Sequence, residues 1–347
     1  MAKRKTKTLI SLLLVSIIGI GVYFIYIKFF GEKVHLKNKS YTFIYIESND
    51  NLEDLTNTLL KEDIIKEEAS FIWLAKKMDL DKQLHAGKYR ITNGMNKRQI
   101  INLFRYNKQE KIKLTYNSQI RSIEDFIEYT ADKLELNENE LEERLMDESY
   151  LEKNFGLDPG NAFALITPGI YEVSWAIKRD DFFSQLKANF DNTWNSNRKN
   201  LSKKIGYSIP EIITLASIVQ CESGISSEQQ KIAGVYINRL ERNIKLDADP
   251  TLKFANKNFE AQRVLNVDKE IDSPYNTYKY KGLPPGPICL VNTKSIDAVL
   301  NYTKHKYIFF CAKPSLNGYS DFSETYEKHL KYAAAYQAEM NKRGINR

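Results

Sequence analysis

Cysteine and histidine are scarce in these 347 residues: three of the former, Cys221, Cys289 and Cys311, and four of the latter, His35, His85, His305 and His329. No Cys-x-x-Cys pair, no Cys/His cluster at metal-ligand spacing and no His-Glu-x-x-His occurs, so neither a disulfide framework nor a zinc site is indicated, and no metal is expected. No histidine stands in partnership with a serine or cysteine nucleophile and Gly-x-Ser-x-Gly is absent, which sets aside the triad hydrolases. A glycine-rich phosphate loop is missing too, and no cofactor is called for. The net charge of +7 is mild and spread along the chain, with no basic stretch interleaved with aromatics, which argues against nucleic acid as a partner. A polyanionic surface would suit that excess equally well.

Apolar residues make up 42% of the chain, enough for a sizeable core in two or three domains. The longest uncharged apolar run, Thr8 to Ile27, is about the length a helix needs to cross a bilayer. It is too long for the core of a signal peptide, and Tyr23-Phe24-Ile25-Tyr26 offers no small residues for cleavage, so a single uncleaved transmembrane anchor is expected over 8–30. Lys3, Arg4, Lys5 and Lys7 place the tail, 1–7, on the cytoplasmic side. Lys28, Lys33, Lys37 and Lys39 pull the other way, but a large polar part on one N-terminal anchor belongs outside.

Beyond the anchor the pattern is α+β. From 39 to 116 strand-like and helical stretches alternate: Tyr41 to Ile46 is aromatic and β-branched, and Leu52, Leu55, Leu59 and Leu60 share a helical face. A helix holding Phe71, Leu74 and Ala75 follows, then a short strand, a turn at Gly94 and a helix with Ile100, Ile101 and Phe104 apolar. Residues 117–160 read as a helical connector whose acidic helices pack on Phe126, Ile127, Leu134, Leu141 and Leu145. The remainder, 161–347, is the largest domain, with a buried strand expected at Tyr307 to Ala312 and a closing amphipathic helix over Thr325 to Arg343.

Its organising element is a helix over Ile209 to Glu222. Ser208 is placed to N-cap it with Glu211 as capping-box partner, Pro210 fits the first turn, and Gly224 supplies a C′ stop. Ile212, Leu215, Ile218 and Val219 form the stripe that packs on a core, and the next position on that stripe is Glu222. Two readings of this carboxyl stand: it turns to water at a fraying helix end, or it is desolvated at the edge of an apolar face and becomes a proton donor near neutral pH. A helix C-terminus, where the dipole disfavours negative charge, would push its pKa the same way. A second helix is expected from Ser226 or Ser227, capped by Ser227 with Gln230 and packed through Ile232, Val235, Tyr236 and Leu240. Cys221 lies about 100° away from Glu222 around the helix and reads as a packed core thiol.

The stretch Ala216-Ser217-Ile218-Val219-Gln220-Cys221-Glu222-Ser223-Gly224 resembles the catalytic Glu-Ser helix of lytic transglycosylases. Val235-Tyr236-Ile237-Asn238-Arg239-Leu240, Leu246-Asp247-Ala248-Asp249-Pro250-Thr251, Ser273-Pro274-Tyr275-Asn276-Thr277-Tyr278 and Gly282-Leu283-Pro284-Pro285-Gly286-Pro287-Ile288 follow in order. Together they resemble the endolytic murein transglycosylases of the YceG-like family. That resemblance implies a LysM-like module over 39–116, which either grips glycan or merely positions the catalytic domain. It also implies peptidoglycan glycan strands as substrate, the plasma membrane as location with the catalytic domain facing the periplasm or cell wall, and peptidoglycan synthases of the elongation or division machinery as partners. Where the family has a Glu-Gly-Tyr-type segment, this chain has Phe163-Ala164, keeping Pro168 and Tyr171; Glu172 nearby reads as an ordinary strand residue. Ser320 stands where many relatives carry a histidine.

Glycoside hydrolases use two carboxyl groups, and one convincing acid is present. In a lytic transglycosylase one carboxyl serves twice, protonating the leaving glycosidic oxygen and then taking the proton of the muramyl C6 hydroxyl that attacks C1. Glu222 is the candidate for both roles. Ser223, Asp249, Thr251, Tyr275, Asn276, Tyr278, Pro285 and Gly286 are the candidate substrate contacts, with Asp249 also a candidate to stabilise oxocarbenium-like charge. A hydrolase using Glu222 and Asp249, or a glycan-binding scaffold without catalysis, are the alternatives.

Overall fold

The computed structural model describes residues 2–26, 33–37, 39–259 and 264–343. Helix α1 spans Ala2–Tyr26. The large side chains described on it, among them Leu12, Leu13, Ile17, Ile18 and Tyr23, are more than half exposed. Among the described residues no helix is long and apolar enough to cross a membrane, and the anchor expected over 8–30 runs through residues 27–30, which lie outside them.

The rest forms two compact units. The first comprises residues up to 113 together with 133–136 and 172–178. Its strand β1 (Tyr41–Ile46) is followed by α2 (Leu52–Lys61), α3 (Glu68–Lys77), β2 (Gly87–Thr92) and α4 (Lys97–Arg105). The two strands pair antiparallel, from Tyr41 opposite Thr92 to Ile46 opposite Gly87. Alternation sends Ile44 and Ile46 of β1 and Tyr89 and Ile91 of β2 inward, where Leu55, Leu59, Phe71, Ile101 and Phe104 from the helices close the core. Asn51 and Asn96 cap α2 and α4 with complete capping boxes, so both helices begin where the local sequence directs. The expected strand, helices and Gly94 turn (φ +86°) are all present.

Strand β3 (Ile112–Tyr116) leads into α5 (Ile123–Lys133), α6 (Glu138–Leu145) and α7 (Glu148–Phe155). Apart from 133–136, the segment expected as a connector belongs to the second unit. There Phe126, Leu141 and Leu145 are buried as expected, Ile127 only partly. After a 3-10 turn at Pro159–Leu165 comes β4 (Gly169–Val173), which pairs with β3. Helices α8 (Arg179–Thr193), α9 (Ser196–Ile205), α10 (Ile209–Glu222), α11 (Ser226–Glu241), α12 (Asp249–Ala255) and α13 (Thr293–Leu300) follow, and α10 packs on α11 and α13. Strands β5 (Phe309–Ala312) and β6 (Ser320–Ser323) pair antiparallel, and α14 (Tyr326–Lys342) lies against them, capped by Thr325. The strand expected to be buried at 307–312 is only half-buried, because a two-stranded sheet leaves its residues at an edge.

Candidate active site

Helix α10 is held at its start as the sequence directs. The Ser208 and Glu211 side chains each bond the other's backbone N–H, and Ile212, Leu215, Ile218 and Val219 are all buried. Its end differs from expectation. Ser223 is extended (φ −152°) and ends the helix, while Gly224 does not adopt a positive φ. Helix α11 begins after Ile225 with no side-chain cap, so neither Ser226 nor Ser227 caps it.

Glu222 therefore occupies the last residue of a helix whose residues 212–219 are all buried. Its Oε1 accepts a 2.6 Å hydrogen bond from the hydroxyl of Tyr236, a buried residue of α11. Burial pushes the carboxyl up to about 7, which the Tyr236 hydrogen bond opposes. The negative charge of Asp249 raises it further, and Lys253 and Arg239 pull it down. Of the two sequence readings, a half-buried carboxyl bonded to Tyr236 favours the desolvated acid.

Asp249 opens α12 and accepts a 2.6 Å bond from the Tyr278 hydroxyl. Burial first, and then that bond to a carboxylate, push the Tyr278 phenol well above its ordinary value. Two carboxyl–tyrosine pairs, Glu222 with Tyr236 and Asp249 with Tyr278, thus sense each other's charge in one locality. The Arg239 guanidinium donates to the carbonyls of Ile308, Lys245 and Leu246 and pairs with Asp247 at 3.1 Å.

The other candidates divide. Ser223 sits beside Glu222, its Oγ accepting from the Ile225 N–H and its carbonyl from the Gln229 amide. Thr251 and Asn276, expected as substrate contacts, are instead buried and used internally. Thr251 bonds the Ala248 carbonyl and the Thr277 hydroxyl, and Asn276 donates to the carbonyls of Lys269 and Ile271 while accepting from the Tyr278 and Lys279 N–H groups. A loop that carries a site must satisfy its own backbone, and these residues do that. Tyr275 lies against Phe254, ring centroids 4.6 Å apart, in the wall of a cavity of about 300 Å³ shared with Phe163, Phe259, Glu124 and Lys257.

Pro285 does not join Glu222. It lines a different cavity with Ser208, Glu211 and Thr214, at the start of α10, and by helix rise Glu211 and Glu222 are roughly 16 Å apart. Gly286 is buried, and a Cβ there would stand 2.8 Å from the Gly160 carbonyl, so its small size is a packing requirement. Phe163 and Ala164 are buried and bring no carboxylate, and Glu172 is an exposed strand residue paired with Lys113 at 3.1 Å. The Ser320 N–H donates to buried Glu228, and His305 Nε2 bonds the Lys231 carbonyl. From the sequence Tyr236 reads as a core residue of α11; the signal for its contact with Glu222 is a hydroxyl set in the middle of an otherwise apolar stripe. Among the described residues no group of three metal-ligating side chains occurs.

Fold and site together define an α+β protein in which one carboxyl, pushed up to about 7 by burial, accepts a tyrosine hydroxyl and feels the charge of a second carboxylate. The chain belongs to the YceG-like family, whose sequence pattern matches residues 44–335. It is 29% identical over 340 residues, 93% of its own length and 92% of the relative's, to the endolytic murein transglycosylase of Bacillus subtilis (strain 168). The corresponding protein of Streptococcus pneumoniae (serotype 2, strain D39) matches at 23% over 307 residues, 80% of this chain and 55% of that one. A crystal structure of a YceG-like protein from Listeria monocytogenes shares the fold, with a TM-score of 0.54 and 23% identity over 85% of this chain and 99% of that chain.

Proposed function

We propose that this chain is a peptidoglycan lytic transglycosylase that cuts between MurNAc and GlcNAc within glycan strands, with Glu222 as its single acid and base. The observation that carries the reading is a carboxyl at the end of α10, bonded by the Tyr236 hydroxyl and pushed up to about 7 by burial, in a chain of this family. A carboxyl with that pKa is protonated in a large fraction of molecules at neutral pH and is a competent base once it has given the proton away. Protonated Glu222 donates to the glycosidic oxygen as the bond to C1 breaks and oxocarbenium-like charge develops. The carboxylate left behind takes the proton of the muramyl C6 hydroxyl, whose oxygen closes on C1. The product is a 1,6-anhydro-MurNAc end, no water is consumed, and Glu222 ends protonated as it began. Asp249 is the carboxylate whose charge would favour the cationic transition state.

The apolar run over 8–27, with basic residues before it and uncovered side chains on α1, supports a membrane anchor that holds the catalytic part on the wall side. On that side the first unit is a LysM-like spacer or glycan grip, and the synthases laying down new strands are the natural neighbours. The test is incubation of the chain and its Glu222→Gln variant with purified peptidoglycan, followed by mass spectrometry of the released muropeptides. Anhydro ends from the unmodified chain alone support the reading. Reducing ends would replace it with a hydrolase, and no release by either with binding retained would leave a scaffold.

A further inference from the structure

Three residues of α10, Ser217, Gln220 and Cys221, fall at i, i+3 and i+4 and so share one face of the helix. The segment 288–292 lies along that face and is fastened to it. The Ile288 N–H donates to Ser217 Oγ at 3.0 Å, Gln220 Nε2 donates to the Leu290 carbonyl at 2.9 Å, and Gln220 Oε1 accepts from the Asn292 N–H at 2.9 Å and its side-chain amide at 2.6 Å. Within this frame the Sγ atoms of Cys221 and Cys289 stand 3.4 Å apart, although 68 positions separate them in the chain. Both are free thiols. A disulfide needs its sulfurs at about 2.05 Å, so closing the bond asks for a relative movement of about 1.4 Å, within reach of two χ1 rotations.

We infer that Cys221 and Cys289 form a dithiol site that closes to a disulfide by exchange with an external disulfide and, once closed, covalently fastens the last turn of α10 to the 288–292 segment. The two partners are unequal. Cys221 belongs to an exposed residue, whereas Cys289 is half-buried and also receives the Gln220 amide at 3.5 Å. Contact with the Cys289 thiol holds the Cys221 thiol below its ordinary value, and the same contact, together with burial, pushes Cys289 up. Cys221 is accordingly the attacking thiolate. It gives up its proton to solvent, attacks one sulfur of the incoming disulfide and releases the first thiolate. Cys289, losing its proton, then attacks the Cys221 sulfur of the mixed disulfide and expels the second. Two protein thiols are oxidised and one external disulfide is reduced to two thiols, with no other reactant. Because Cys221 adjoins Glu222, the bond would fix the backbone that carries the acid. The inference rests on the sulfur geometry and holds whatever reaction Glu222 performs.

The test uses the full chain, reduced, freed of reductant and treated with glutathione disulfide, then denatured in iodoacetamide and digested with trypsin. Residues 205–231 and 282–294, which carry the two cysteines, fall in separate tryptic peptides. The expected result is one species joining them, lighter than their sum by two hydrogens, with Cys311 carbamidomethylated. The Cys289→Ser variant should instead retain glutathione on Cys221, since the resolving thiol is gone, and Cys311→Ser should behave as the unmodified chain. The oxidised chain should melt several degrees above the reduced one, and Cys289→Ser should show no such shift. Alkylation of all three cysteines, a lasting glutathione adduct on Cys221 in the unmodified chain, or equal melting of the two redox forms would overturn the inference.

Discussion

The Tyr236 hydroxyl donates to Glu222 Oε1 at 2.6 Å, joining the end of one buried helix to the middle of the next. This bond favours the charged form of a carboxyl that burial otherwise keeps neutral, so the pair sets the pH at which Glu222 gives up its proton.

Tyr236→Phe keeps the buried ring and removes the donor. A hydrogen bond to a charged group contributes about 1.5–3 kcal/mol, so the Glu222 pKa should rise by about 1–2 units. The pH profile of anhydro-product formation would then shift to the alkaline side. An unmoved or acid-shifted profile would show that the bond does not tune the acid.

Asp249→Asn acts in the opposite sense. Asp249 raises the Glu222 pKa through its charge, so neutralising it should lower that pKa and move the profile to the acid side. A loss of rate beyond the shift, read at each variant's own optimum, would assign Asp249 a part in transition-state stabilisation.

Glu222→Gln separates catalysis from stability. Activity should fall by about 10²–10⁴. The folded pKa, about 7, lies above the ordinary 4.5, so the native state holds the proton more tightly than the unfolded chain. The stability this group contributes is complete below pH 4.5 and lost as pH rises through 7. The variant should therefore melt higher than the unmodified chain at pH 8, by on the order of 2–3 kcal/mol or ~5 °C, and no higher at pH 4. Equal melting at both values would contradict the burial of this carboxyl.

Gly234→Ala tests the packing behind the site. In an open helix the exchange would stabilise by up to about 1 kcal/mol. Here a Cβ would stand 2.4 Å from the Thr303 carbonyl and 2.7 Å from His305 Nε2, so a loss of about 1–3 kcal/mol is expected, read as a lower unfolding midpoint in urea.

Much of this was legible in the chain. The start of α10, its apolar stripe and the placement of Glu222 on that stripe follow from local signals, which a capping box and a 3.6-residue period carry without help from the rest of the fold. The strand and helices of 39–116 followed in the same way. What depended on distant partners did not show. Nothing local says that the Tyr236 hydroxyl meets a carboxyl 14 positions earlier, or that Cys221 meets Cys289. Thr251 and Asn276 looked like ligand contacts because loop polarity is the same whether it serves a substrate or the loop's own backbone. Pro285 follows the other motifs in sequence, yet its segment begins at the opposite end of α10 from Glu222.

The segment 284–292 travels alongside α10 in the same direction, Pro284 and Pro285 near Ser208 and Thr214, Ile288 at Ser217 and Asn292 at Gln220. Extended chain advances about 3.3 Å per residue and helix about 1.5 Å, so the four steps from Ile288 to Asn292 keep pace with the three from Ser217 to Gln220 only because the chain bends at Ile288 and Cys289. One residue added between Ile288 and Asn292 would leave either Ser217 or Gln220 without its backbone partner. Length variation in this unit has to be accommodated elsewhere, and the stretch beside α10 behaves as a gauge whose divisions are counted in residues.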